Sequence, residues 1–160
     1  MNRATDQGFT LLELLIVVLV VVLVLAVSYP ALSRGSASIH LHTTGRDVLN
    51  IFRYAREKAV TEQVGMRVTA NREKQRIVVS DDLEDGGRSY LMPKDVKISR
   101  LVLGGKGVTE ASMVIRFLPN GGSDSGEVLL KSEAGSFLRV ISDPLTGGAR
   151  IESGQGDNLP

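Results

Sequence analysis

The chain has 160 residues, a net charge of +1, no cysteine and no tryptophan. Near-neutrality gives no global pull toward nucleic acid, and the absent thiols exclude disulfide staples and thiol chemistry. With 4% aromatic residues there are too few rings for an aromatic-lined carbohydrate or single-strand platform.

The first predicted element is apolar. From Phe9 to Val27 only Thr10 and Glu13 are polar. As a helix this stretch is about 28 Å long, against about 30 Å of bilayer hydrocarbon. One membrane span is expected over residues 9–29. Its many valines make a poor helix in water but an acceptable one in lipid, where backbone groups must pair internally. Glu13 is the anomaly. An ionised acid in a span costs roughly 2.5–3.5 kcal/mol at the centre and less near the interface. A charge held at that cost calls for a partner. Ala26-Val27-Ser28 imitates a signal-peptide cleavage site, but Glu13 would then interrupt the apolar region and Pro30 would follow the cut closely. A plain anchor fits the length and leaves Glu13 unexplained.

Pro30 and Gly35 punctuate the end of the span, and Pro30 is a candidate helix kink. A second, amphipathic helical part is expected over 30–62. Val48, Phe52, Ala55 and Ala59 form one apolar stripe, widened by Leu49, Ile51 and Val60. Arg46, Asp47, Arg53, Arg56, Glu57 and Lys58 take the other side. From residue 63 the period changes to that of strands. Val64–Ala70 and Gln75–Ser80 flank a hairpin loop at 71–74. Ser89–Met92 reads as a short strand. Val96–Leu103 alternates with one slip, placing Val96 and Ile98, then Leu101 and Leu103, on one side. Gly104-Gly105-Lys106-Gly107 reads as a turn. Met113–Leu118, Glu127–Ser132 and Phe137–Ser142 are further strands. Ala149–Glu152 is an edge strand, and 153–160 is a loose tail. After leader and span, about 130 residues remain for one β-rich domain with one core. The fold class is α+β: a long N-terminal helix, half transmembrane and half amphipathic, packed on antiparallel sheet.

The polar clusters have ordinary explanations. His40 and His42 are two apart and point away from each other on a helix, so no shared metal is expected. The glycine-rich turn at 104–107 lacks the spacing of a phosphate loop. Asp81, Asp82, Glu84 and Asp85 offer oxygens of the kind calcium takes, without an EF-hand pattern, and read as a solvated acidic loop. No catalytic, cofactor or metal site is expected.

Gly8-Phe9-Thr10-Leu11-Leu12-Glu13-Leu14-Leu15-Ile16-Val17-Val18 resembles the class III signal of type IV pilins and type II secretion pseudopilins. The resemblance implies a pilin-like fold and cleavage by a prepilin peptidase between Gly8 and Phe9, after a leader of residues 1–8. It also implies N-methylation of Phe9 and a kinking proline at Pro30. After the cut, the amino group of Phe9 lies one helical turn from Glu13. In a low-dielectric setting that cation, on the same or a neighbouring subunit, would neutralise the carboxylate and favour assembly. The leader's Arg3 and Asp6 cancel, so a cytoplasmic N-terminus follows from the resemblance more than from charge.

Toward the C-terminus, residues 113–123, 137–141 and Gly147-Gly148-Ala149-Arg150-Ile151 are similar to the closing pattern of the GspH/FimT family. A structural role follows from that likeness: a minor pseudopilin of the type II secretion pseudopilus, supporting export of folded proteins across the outer membrane. It would sit in the bacterial inner membrane with its C-terminal domain in the periplasm. Its partners would be other major and minor pseudopilins, the prepilin peptidase and the inner-membrane assembly platform. A FimT/FimU-like minor pilin of a type IV pilus is the alternative, serving pilus assembly or DNA uptake. DNA binding would need a basic patch around Arg139 and Arg150, and the surrounding acids at 124, 127, 133, 143, 152 and 157 oppose it. A membrane-anchored periplasmic enzyme would need a convergent polar constellation, and none is apparent.

Overall fold

The computed structural model describes residues 10–82 and 86–154, with side chains left aside at 27–37. Contacts divide the chain into two units, 1–36 and 37–160. One α-helix, α1, is assigned over Leu11–Glu62. In the first unit, every described leucine, isoleucine and valine from Leu11 to Leu25 is at least half exposed. The kink expected at Pro30 falls among residues 27–37, outside the described side chains.

Among the described residues of the second unit the helix gives way to nine strands: β1 Met66–Asn71, β2 Arg76–Asp81, β3 Gly87–Leu91, β4 Val96–Leu103, β5 Lys106–Gly107, β6 Ser112–Phe117, β7 Gly126–Ser132, β8 Phe137–Ser142 and β9 Ala149–Gly154. They form two antiparallel sheets, in the orders β3-β2-β1-β6 and β5-β4-β7-β8-β9. The helical stripe Leu41, Val48, Ile51, Phe52, Ala55 and Ala59 joins one buried cluster with Val68, Ile77 and Ile115 of the first sheet and Leu101, Leu130 and Leu138 of the second. Phe52 meets Phe117 edge-to-face at 5.8 Å, the arrangement aromatic quadrupoles favour. Gly45 lets the helix lie close to β8, since a Cβ there would meet the Leu138 side chain at 2.5 Å.

Alternation along the strands follows the pleat. Met113, Ile115 and Phe117 are buried while Ser112, Val114 and Arg116 are exposed. The slip expected in β4 is a register shift between Ile98 and Arg100. One additional residue there returns Leu101 to the core face. Four details differ from the sequence reading. Val60 is 40% exposed and lies off the stripe, and Leu103 is 38% exposed. The glycine-rich segment is a hairpin, with Gly104 and Gly105 at positive φ and Lys106 and Gly107 pairing with Leu103 and Val102. Ser153 and Gly154 belong to β9 and pair with Leu138 and Phe137, where a loose tail was expected.

Candidate functional site

Thr10 stands just before the helix as its N-cap. Its hydroxyl accepts the Glu13 N–H at 3.2 Å, and its carbonyl accepts from Glu13 and Leu14 at 3.1 and 3.2 Å. Glu13 lies three positions after Thr10, the spacing of a capping box. Glu13 therefore occupies the first turn, where the positive end of the helix dipole favours an anion. The Thr-x-x-Glu spacing was legible in the sequence and supplies a second, local reason for this acid. Gly8 and Phe9, the cleavage and methylation positions, lie outside the described residues, and so does any pairing of Phe9 with Glu13.

From Leu14 to Ala26 the helix is apolar on every side. A helix of that kind is stable only when surrounded by apolar matter, as in a protein core or a membrane. Among the described residues no helix is long and apolar enough to cross a membrane. The described side chains of the helix's apolar part end at residue 26, a rise of about 24 Å from Leu11.

In the second unit the helix's polar side has structural work. Arg56 donates from Nε to the Thr146 carbonyl at 2.7 Å and lies 3.4 Å from that of Gly121. It thereby fastens the loop after β6 to the loop between β8 and β9. These loops also meet through Ser123, whose N–H bonds the Pro144 carbonyl at 3.2 Å. Asp143 closes its own loop: its Oδ1 accepts from the N–H groups of Leu145 and Thr146 and from the Thr146 hydroxyl. The Thr146 N–H foremost, then that hydroxyl, hold its carboxyl below the ordinary value of 3.8.

Arg139 and Arg150 are brought together but are not free cations. Arg139 bridges Glu127 at 3.1 Å and Glu152 at 3.6 Å, and Arg150 meets Glu152 at 2.8 Å. Two carboxylates offset the two guanidinium charges, which removes the local reason to attract phosphate. The two histidines are not brought together as ligands. His40 faces Asp95 at 3.1 Å, a partner 55 residues away that no local pattern signals. Asp81 and Asp82 face cations, Lys58 at 3.7 Å and Arg67 at 3.1 Å. Leu83, Glu84 and Asp85 lie outside the described residues. Among the described residues no three acidic or histidine side chains are grouped to hold a metal.

Comparison with known proteins adds the family. Residues 3–29 match the prokaryotic N-terminal methylation motif, and residues 44–146 match the type II transport protein GspH. The curated proteins yield no match. Two structures of the minor pseudopilin EpsH from the type 2 secretion system of Vibrio cholerae share the fold. One aligns with a TM-score of 0.60 at 12% identity, over 74% of this chain and 99% of that one. The other aligns with a TM-score of 0.59 at 13% identity, over 74% and 97%. The sequence match spans most of the second unit, and the chain belongs to the type II transport protein GspH family.

Proposed function

We propose that this protein is a minor pseudopilin, a structural subunit of the type II secretion pseudopilus that supports export of folded proteins across the outer membrane. The observation that carries this reading is the joining of a methylation motif at 3–29 to a GspH domain at 44–146 in one chain. The subunit acts by assembling rather than by catalysis. Prepilin peptidase cuts between Gly8 and Phe9, and the new N-terminus is methylated. The helix then anchors the chain in the inner membrane, crossing once over 9–29, with the β-rich domain in the periplasm. Other major and minor pseudopilins and the assembly platform are its partners. The Phe9 ammonium neutralises Glu13 as the subunit enters the filament, so that assembly relieves the cost of an acid in apolar surroundings.

Gene deletion with complementation in trans tests the function. Selective loss of exported proteins from the culture medium, with pili intact, is the expected result. An unchanged medium with lost pili or DNA uptake would assign the chain to a type IV pilus. The processing step has its own test. A bulky residue at Gly8 leaves an uncut precursor in the membrane, and mass spectrometry that still found Phe9 at the N-terminus would refute the cleavage site.

A further inference from the structure

Strand β3 is one of the two outer strands of the first sheet. The Met92 N–H donates to Gln75 at 2.9 Å, and the register pairs Tyr90 with Ile77 and Arg88 with Val79. Antiparallel pairing alternates hydrogen-bonded and non-bonded positions. The main-chain N–H and C=O groups of Ser89 and Leu91 therefore point away from β2. The register turns both N–H groups away from β2, and among the described residues neither donates to a loop or a cap. Two such amides at i and i+2 form a ready ladder for another extended chain.

That edge borders a groove of about 640 Å³ between β3 and α1. Consecutive residues Ser89 to Pro93 line it. Successive strand side chains point to opposite faces, so a run of neighbours lines a groove through the strand's edge. The floor is apolar, with Val48 and Ile51 from the helix and Tyr90 and Met92 from the strand side. Arg88 stacks over Tyr54 at 5.6 Å and ties strand to helix at one end. Toward the other end the helix wall carries Asp47, an exposed carboxylate with no ion pair among the described residues.

We infer that this groove receives an extended segment of another protein chain, added as a fifth strand beside β3, with apolar side chains at alternate positions and a lysine or arginine at the end that meets Asp47. The outward amides supply the main-chain bonds, the Val48–Ile51–Met92 floor takes the inward side chains, and Asp47 sets the charge and direction. The inference goes beyond subunit assembly through the N-terminal helix and does not depend on it.

The probe is a fluorescein-labelled peptide of alternating valine and threonine with terminal lysines, titrated into the full chain in detergent micelles. A glutamate-ended twin is the control. Saturable binding is expected for the lysine peptide, weaker by about tenfold or more for its twin and for Asp47→Asn. Ser89→Pro removes one outward N–H at an edge that tolerates proline and should abolish binding, whereas Ser89→Ala should retain it. Amide exchange in the unsubstituted chain is independent of how the proline variant folds. Ser89 and Leu91 should exchange fast alone and slow by about tenfold or more with the lysine peptide. No protection, equal binding of both peptides, or binding untouched by Asp47→Asn would overturn the inference. Protection of both amides that rises with protein concentration and needs no peptide would also overturn it, assigning the edge to a second copy. Because no filament is involved, failure here leaves the secretion phenotype of the deletion strain unaffected, and the two readings fail separately.

Discussion

Arg56 looks in sequence like one more charge on a solvated helix face, yet its guanidinium holds two loop carbonyls contributed by segments 65 and 90 residues away. Hydrogen bonds from charged donors are worth roughly 1.5–3 kcal/mol when buried, and partial exposure reduces this. Arg56→Ala should therefore lower stability by about 1 kcal/mol, read as a lower urea midpoint at unchanged slope. Gly147 makes the loops' close approach possible: it has φ +60, and a Cβ there would come 2.2 Å from the Gly121 carbonyl oxygen. Asp143 adds a pH dependence. Its folded carboxyl titrates below the ordinary 3.8, so the stability it contributes is fully present above that value. That contribution is lost as pH falls through the folded value. Asp143→Asn keeps an oxygen acceptor for the turn but cannot titrate. Its stability should fall less steeply on acidification than that of the unsubstituted protein, checked by urea unfolding from about pH 6 to pH 3.

At the scale of elements, the start of α1 carries two explanations for one acid. Capping needs only an acceptor at the third helical position, and glutamine serves there as well as glutamate. Pairing with the Phe9 ammonium needs the charge. Glu13→Gln and Glu13→Ala should then both reduce the subunit in sheared filaments, relative to the membrane fraction, while leaving cleavage intact. Normal incorporation of the glutamine variant would leave capping as the sole role of Glu13. In the sheets, hydrophobic alternation located the long strands well, even the slip in β4, because a half-buried strand must present apolar residues every second position. It missed β5, since two residues on a glycine turn carry no period. It also missed the last pairs of β9, which gain their order from β8 rather than from their own composition.

For the β-rich unit as a whole, one cluster joins helix and both sheets, so a deletion at its centre is felt everywhere. Phe52 is fully buried and touches Phe117. Phe52→Ala should cost about 3–5 kcal/mol. With a single core, far-UV circular dichroism and tyrosine fluorescence should report one coincident transition at a lower midpoint. Two separate transitions would show that the sheets unfold independently.

The sequence by itself determined the helix, the change to strands, the apolar stripe and the terminal motif, because each is written in neighbours within a turn or a pleat. Tertiary structure decided what the charges do. His40 found Asp95, Arg139 found Glu127 and Glu152, and Arg56 found the carbonyls of Gly121 and Thr146. It also decided that β3 ends its sheet with two amides turned away from β2 beside an apolar groove. Such pairings are set by strand order and register, and these depend on how whole faces pack rather than on any local spacing.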